Sequence, residues 1–395
     1  MKFIIAIPDG ASDMLSAYPD GRTPLQQART PMMDELADSG EVLWARNVPD
    51  HLHPGSDVAC LSIFGYDPTE VYTGRAPLEA ASMGISLGNN VAFRCNLVTI
   101  ENEMMKEFNA GHISTEEADL IIQTLNENLA SAAIRFHTGV QYRHILVAPP
   151  EYGRVDCTPP HDILDQGVES YLPQGESKEK TRALMDRSRE ILADHPVNAR
   201  RTAAGKPPAS QIWLWGQGTA PRLESHRSRY GKQGAVISAV DLIKGIGKLA
   251  GLEIIEVEGA TGLPDTNYEG KADAALAALE TNEYVIIHVE STDEMGHKGD
   301  EAMKIRAIQD FDQRMLARVI AGLRQKGEAF RVLLLPDHPT PISLRTHTKD
   351  PVPCLLYDSR VTQKRGTGGY SEEAVRQRTQ RTEIGHRLLD SLFER

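Results

Sequence analysis

Short, largely apolar runs punctuate this chain. "FIIAI" at 3–7 is closed by Pro8, and comparable runs recur at 212–215 ("IWLW"), 253–257 ("EIIEV"), 284–289 ("YVIIHV"), 332–335 ("VLLL") and 353–357 ("PCLLY"). A strand covered on both faces reads as such a continuous run, whereas a strand with one wet face alternates. Segments with helical spacing separate several of them, at 234–250, 269–280 and 300–325. Strands alternating with helices predict an α/β core: a central, mostly parallel sheet with helices on both faces. Sheets of this kind bind ligands beyond the carboxyl ends of their strands.

The middle of the chain reads differently. Residues 91–100 and 142–148 have strand character, and 114–130 and 178–194 have helical character. Proline-bearing breaks, "APPEYGRVDCTPPHD" and "HPVNARRTAAGKPPAS", cut this region off from the later runs. The pattern predicts a smaller α/β domain at 89–205, inserted into a core made of 1–88 and 206–395. "KRGTGGYSEE" at 364–373 predicts a flexible loop leading into a final capped helix.

Composition narrows the function classes. The formal charge is −12, from 55 acidic and 43 basic residues. That argues against a general nucleic-acid binder, since phosphate backbones select basic surfaces, but leaves room for a small anionic substrate in a local basic pocket. Cys60, Cys95, Cys157 and Cys354 are dispersed without a C-x-x-C pair, as expected of reduced thiols in a cytoplasmic protein. "KFIIAI" is too short for a signal-peptide core, and no segment has the apolar length to span a membrane.

The chemistry-bearing residues fall where strands end. Asp9 follows "FIIAI"; Asp293 and His297 follow "YVIIHV"; Asp337 and His338 follow "RVLLLP", with His347 nine residues further on. All project from one edge of the predicted sheet. Asp293 and His297 are four apart, which places both on one face of a helical turn. Mixed carboxylate and imidazole donors suit zinc or manganese, while an all-oxygen set suits magnesium or calcium. In "HLHPGSDVACLSIFGYD" (51–67), Pro54 and Gly55 break the incoming chain just before Ser56. Ser56 then reads either as a helix N-cap or as a nucleophile placed where helix N–H groups attract anions. His51 and His53 read as loop residues, Trp213 and Trp215 as packing.

"IPDGASD", "HPGSDVACLSIFGYDP", "YTGRAPLEAASMGI", "AFRCNL", "AGHIST", "WLWGQG", "DEMGHKGD" and "LPDHPTP…THTKDPVP" resemble the archaeal-type cofactor-independent phosphoglycerate mutases of the alkaline phosphatase superfamily, over essentially the whole chain. The resemblance implies an alkaline-phosphatase-like core and two divalent metals, manganese or zinc with magnesium as the alternative, and no 2,3-bisphosphoglycerate. Carried onto matching positions, Asp9, Ser56, Asp337 and His338 hold one metal, and Asp293, His297 and His347 hold the other. Ser56 becomes the phosphorylated nucleophile in the interconversion of 3- and 2-phosphoglycerate. Arg94, Arg143, His161 and Asp162 in the inserted domain and Lys244 in the core are the substrate-binding candidates. A homoserine-kinase-like phosphotransferase, a metal-dependent phosphatase and a non-catalytic binding module are the alternatives.

Overall fold

The computed structural model describes residues 1–18, 22–364, 366 and 368–394. In chain order the strands are β1 (Lys2–Pro8), β2 (Glu41–Arg46), β3 (Val91–Glu101), β4 (Met104–Glu107), β5 (Arg135–His137), β6 (Arg143–Ala148), β7 (Gln211–Thr219), β8 (Gly234–Ile237), β9 (Glu253–Ile255), β10 (Tyr284–Val289), β11 (Phe330–Leu334), β12 (Val352–Asp358) and β13 (Thr382–Ile384). The chain divides into two units, Met1–Tyr72 with Arg222–Arg395, and Thr73–Pro221.

The first unit is built on an eight-stranded sheet of order β13-β2-β12-β11-β1-β10-β8-β9. The strand β1 lies centrally, parallel to β10 and to β11, with Ile5 opposite Ile286 and Ile7 opposite His288. Only the pairings of β12 with β11 and with β2 are antiparallel. Ile4, Ile5, Ala6 and Ile7 are fully buried because both faces are covered. Ile4 and Ala6 join Val285, Ile287 and Val332 against Tyr268, Ala272, Ile308, Phe311 and Val319, contributed by helical segments between 268 and 325. On the opposite face Phe3 meets Phe393 of the helix Leu388–Glu394 edge-on at 5.1 Å. The expected mixed α/β class, with a mostly parallel sheet between helices, is what the chain adopts.

The second unit is a five-stranded sheet in which β3 pairs antiparallel with β4, β6 and β7, and β5 pairs with β6. The helices Thr115–Leu129 and Lys178–Ala193 supply Ile121, Ile122, Leu125, Leu184 and Met185 to its core. A reciprocal capping box between Ser114 and Glu117 starts the first of these.

Two segments lie elsewhere than their patterns suggest. The run 212–215 pairs with β3, Trp213 opposite Asn96 and Leu214 opposite Cys95, instead of entering the larger sheet. The helix Arg75–Ser82 packs Ala76 and Ala80 on Ala92, Ile145 and Val147 of the smaller one. The expected boundaries at 88 and 206 therefore fall inside the second unit. An apolar run reports that both faces are covered, not which sheet does the covering. Segment 234–250 is also not one helix: β8 precedes the helix Asp241–Leu249. The expected loop at 364–373 includes Arg365 and Thr367, which lie outside the described residues.

Candidate active site

Parallel strands deliver their carboxyl ends to one edge, and the first unit's chemistry collects there. Asp9 follows β1, with its N–H donating to Val289 O at 3.0 Å. Gly10 then turns with φ +60°, a conformation that favours glycine, and a Cβ at that position would collide with Asp293 and Thr340. Its N–H donates to Asp337 Oδ1 at 3.0 Å, and the same oxygen accepts His338 N–H at 2.9 Å. Asn47 Nδ2 donates to the carbonyls of Pro336 (3.2 Å) and Asp337 (2.7 Å), which holds the turn after β11. Asp9, Asp293 and Asp337 are all buried.

Four imidazoles surround these carboxylates. On the helix Ser291–Lys298, His297 reaches back one turn to place Nε2 3.2 Å from Asp293 Oδ2. His347 Nε2 lies 3.4 Å from Asp293 Oδ1. The ring of His347 also packs 4.0 Å from that of His338, centroid to centroid. Thr340 Oγ1 donates to Asp293 Oδ1 and lies 3.3 Å from His338 Nδ1. With its single proton committed to Asp293, Thr340 accepts from His338 Nδ1–H, so His338 Nε2 carries a lone pair. That lone pair faces Ser56 Oγ at 3.1 Å. The fourth imidazole, His288, ends β10 with Nε2 3.0 Å from Asp9 Oδ2.

Ser56 is not the helix cap. Gly55 occupies the N-cap, and Ser56 opens the helix Ser56–Ile63 with its hydroxyl turned to His338 instead of to the backbone. The Pro54-Gly55 break thus frees the serine oxygen from capping.

The electrostatics are those of a centre short of positive charge. Burial, followed by the fields of Asp337 and Asp293, pushes the Asp9 carboxyl well above the usual range. Burial acts the same way on Asp293, yet hydrogen bonds from His297 and His347 hold it well below. Burial would lower His297, but Asp293 wins and raises it to about 9. Among the described residues Asp9 Oδ1 has no hydrogen-bond partner, although it is buried. An unpaired buried carboxylate oxygen among imidazole nitrogens fits a bound cation, which would satisfy both. Asp9, Asp293 and His338 form one such donor group, and Asp293, His297 and His347 another, with the donor atoms of each within 4.8 Å of one another.

The second unit carries a different cluster. Arg94 on β3 is buried, with Nε 2.9 Å from Glu79 Oε2 and its guanidinium 4.3 Å above the Trp215 ring. Arg75 Nε donates to Glu79 Oε1 at 2.9 Å. Burial lowers Arg94 to about 10, while Glu79 stays below its usual value because Arg94 and Arg75 outweigh its own burial. Arg143 stacks 4.4 Å over Tyr142, and its field reaches both Arg94 and Glu79. His161 packs edge-on to Trp215 at 5.3 Å and lies 3.5 Å from Asp162 Oδ1. Three guanidiniums around one carboxylate leave this cluster with net positive charge in a chain that is acidic overall.

The family model for 2,3-bisphosphoglycerate-independent phosphoglycerate mutase matches residues 37–198. A protein of that name from Methanosarcina acetivorans is 50% identical over 378 residues, covering 95% of each chain. The chain belongs to this family. A Geobacter sulfurreducens protein, named a probable member, is 48% identical over 400 residues and covers 100% of both chains. Among solved structures, a Pyrococcus horikoshii protein superposes with TM-score 0.82 at 28% identity, covering 100% of this chain and 96% of its own. The cofactor-independent phosphoglycerate mutase of Thermoplasma acidophilum shares the fold, with TM-score 0.66, 24% identity and coverage of 100% and 99%.

The family resemblance read in the sequence is thus shown. Asp9, Ser56, Asp293, His297, Asp337, His338 and His347 all come together in the first unit. Arg94, Arg143 and His161 gather near Trp215 and Tyr142 in the second, with Asp162 beside His161. Lys244 does not join the carboxylate cluster; its Nζ is bonded to Glu256 at 2.6 Å. Sequence reasoning missed His288, Cys60, Thr340 and Arg75. His288 had a signal, as the one polar residue inside "YVIIHV". Arg75 also had one, as the first half of an i,i+4 pair with Glu79. Trp215 does more than pack, since it carries the Arg94 guanidinium.

Proposed function

We propose that this mutase-family chain, an isomerase, interconverts 3-phosphoglycerate and 2-phosphoglycerate through a phosphoserine at Ser56. The observation that carries the proposal is the Ser56 hydroxyl, 3.1 Å from His338 Nε2, which itself lies 3.3 Å from the buried Asp337 carboxylate. Asp9, Ser56, Asp337 and His338 would hold one divalent cation, and Asp293, His297 and His347 a second; manganese or zinc suits these mixed donors. Cations bound there supply the positive charge that steadies phosphoryl oxygens and eases deprotonation of a hydroxyl.

In the first half-reaction Ser56 Oγ forms a bond to phosphorus as the bond to the 3-oxygen breaks, and the proton lost by Ser56 is made up on that 3-oxygen. In the second, the 2-hydroxyl oxygen of the retained glycerate bonds to phosphorus as the Ser56 Oγ–P bond breaks, and the proton it loses is made up on Ser56 Oγ. The helix that begins at Ser56 puts the positive end of its dipole at the serine, which favours negative charge there. In the second unit, Arg94, Arg143 and His161-Asp162 are assigned to the substrate's carboxylate and hydroxyls. Arg75 is added because it shares Glu79 with Arg94. Lys244 is retained as a substrate contact only on condition that it exchanges Glu256 for an anion. Keeping water from phosphoserine separates a mutase from a phosphatase. A cytoplasmic setting belongs to the same proposal and is supported by four free cysteines. No helix among the described residues is long and apolar enough to cross a membrane.

Phosphorus NMR of the manganese-loaded protein with 3-phosphoglycerate, in the absence of 2,3-bisphosphoglycerate, tests this. A 2-phosphoglycerate signal is expected. Free phosphate alone would make the chain a phosphatase, and an unchanged spectrum would remove the substrate assignment.

A further inference from the structure

The inner wall of the carboxylate cluster carries two donors that the ligand sets above leave out. Cys60 lies one turn after Ser56 on the helix Ser56–Ile63, fully buried, with Sγ 3.8 Å from Asp337 Oδ2. His288 is also fully buried. Its Nε2 lies 3.0 Å from Asp9 Oδ2 but makes no hydrogen bond to it, nor to any other atom among the described residues. The donor atoms of Cys60, His288 and Asp337 all fall within 4.8 Å of one another.

The other side of the imidazole explains its orientation. His288 Nδ1 lies 3.1 Å from Ser238 Oγ, which already accepts Val240 N–H at 3.0 Å. A serine oxygen has two lone pairs, and the second is placed to accept Nδ1–H. With Nδ1–H donated to Ser238, the ring turns an Nε2 lone pair toward carboxylates, a repulsion that a bound cation would relieve. Imidazoles that ligate metals characteristically donate their other N–H to an oxygen in this way.

We propose that Cys60, His288 and Asp337 form a soft-donor cation site at the inner wall of the centre, and that its occupant is a thiophilic divalent ion of the zinc and cadmium class. Binding exchanges the Cys60 thiol proton, released to solvent, for a sulfur–metal bond, without change of oxidation state. The site shares Asp337 with the ligand sets proposed above and rests on that part of the reading. Sulfur tips metal choice away from magnesium, which takes oxygen donors.

Cadmium titration of the full chain, followed by the ultraviolet sulfur-to-cadmium charge-transfer band, tests the site. The half-buried Cys157 is first changed by Cys157→Ser so that it cannot supply the band. A band with the amplitude of one thiolate is expected, absent when Cys60→Ser is added. His288→Gln should raise the cadmium needed for half-saturation about tenfold or more. Cadmium bound by elemental analysis without a band, or a band that survives Cys60→Ser, overturns the site. Should Cys60→Ser fail to fold, zinc-edge X-ray absorption of the Cys157→Ser chain decides: a sulfur scatterer at about 2.3 Å supports the site and nitrogen and oxygen alone overturn it. Absence of sulfur together with continued 2-phosphoglycerate formation would remove this site and leave the proposed function standing.

Discussion

The Nε2 atoms of His297 and His347 lie 2.9 Å apart, and each faces an oxygen of Asp293, at 3.2 and 3.4 Å. Two imidazole nitrogens so close require a shared proton or a shared cation between them. Asp293→Asn keeps the shape of that junction and removes its charge. Its expected effect is a loss of metal affinity of about 10- to 100-fold or more, with a parallel fall in turnover. Elemental analysis after gel filtration checks this; unchanged stoichiometry would sever Asp293 from the metal.

Ser56→Ala should remove the nucleophile without disturbing the fold, because Gly55, not Ser56, occupies the N-cap. Turnover is expected to fall on the order of 10⁴-fold or more, as when nucleophiles are removed from covalent catalysts. Thermal unfolding should stay within a few degrees of the parent. Normal turnover in this variant would end the phosphoserine mechanism.

Arg94 and Arg143 should respond in opposite ways. Arg94→Leu takes a buried partner from Glu79 and is expected to destabilise the protein by about 3–5 kcal/mol. Arg143 is exposed, so Arg143→Ala should leave stability almost unchanged and raise KM by roughly 10- to 100-fold, the worth of a hydrogen bond to a charged group. Denaturant midpoints and steady-state kinetics on both variants separate the two roles. An unchanged KM in Arg143→Ala would remove it from substrate recognition.

His226 predicts an acid sensitivity. The ring lies between Tyr284 OH and Phe64 O, and burial lowers its pKa from 6.5 to about 4. Below about 6.5 the unfolded chain takes up a proton that the folded imidazole refuses until about 4. Stability is therefore lost as pH falls through that window, by up to about 3 kcal/mol from this group. His226→Gln, which can still donate to Phe64 O, should flatten that part of the slope when urea midpoints are compared at several pH values. A slope identical to the parent's would place the acid sensitivity elsewhere.

Much of the first unit was legible because parallel strands covered on both faces must be continuously apolar. The runs of β1, β10 and β11 stood out for that reason, and the polar residue just past each run marked the site's edge. Asp293 and His297 could be paired from helical periodicity alone. The helix at Ser56 was legible from Pro54-Gly55, but whether Ser56 caps it or faces a histidine depends on His338, which is 282 residues away. His288 was hidden by its surroundings: inside an apolar strand, nothing local distinguishes a buried ligand from a satisfied polar group.

The sequence by itself determined the local elements, the edge at which chemistry had to collect and, through its motifs, the family. Only the tertiary structure decided which sheet receives β7 and the helix Arg75–Ser82, that Arg75 joins Arg94 on Glu79, and that Cys60 and His288 back the carboxylates. The physical reason is one of range. Periodicity and capping are settled between neighbours a few residues apart, whereas a carboxylate's partner or an apolar face's cover is chosen among segments hundreds of residues away, by burial and charge that no local window contains.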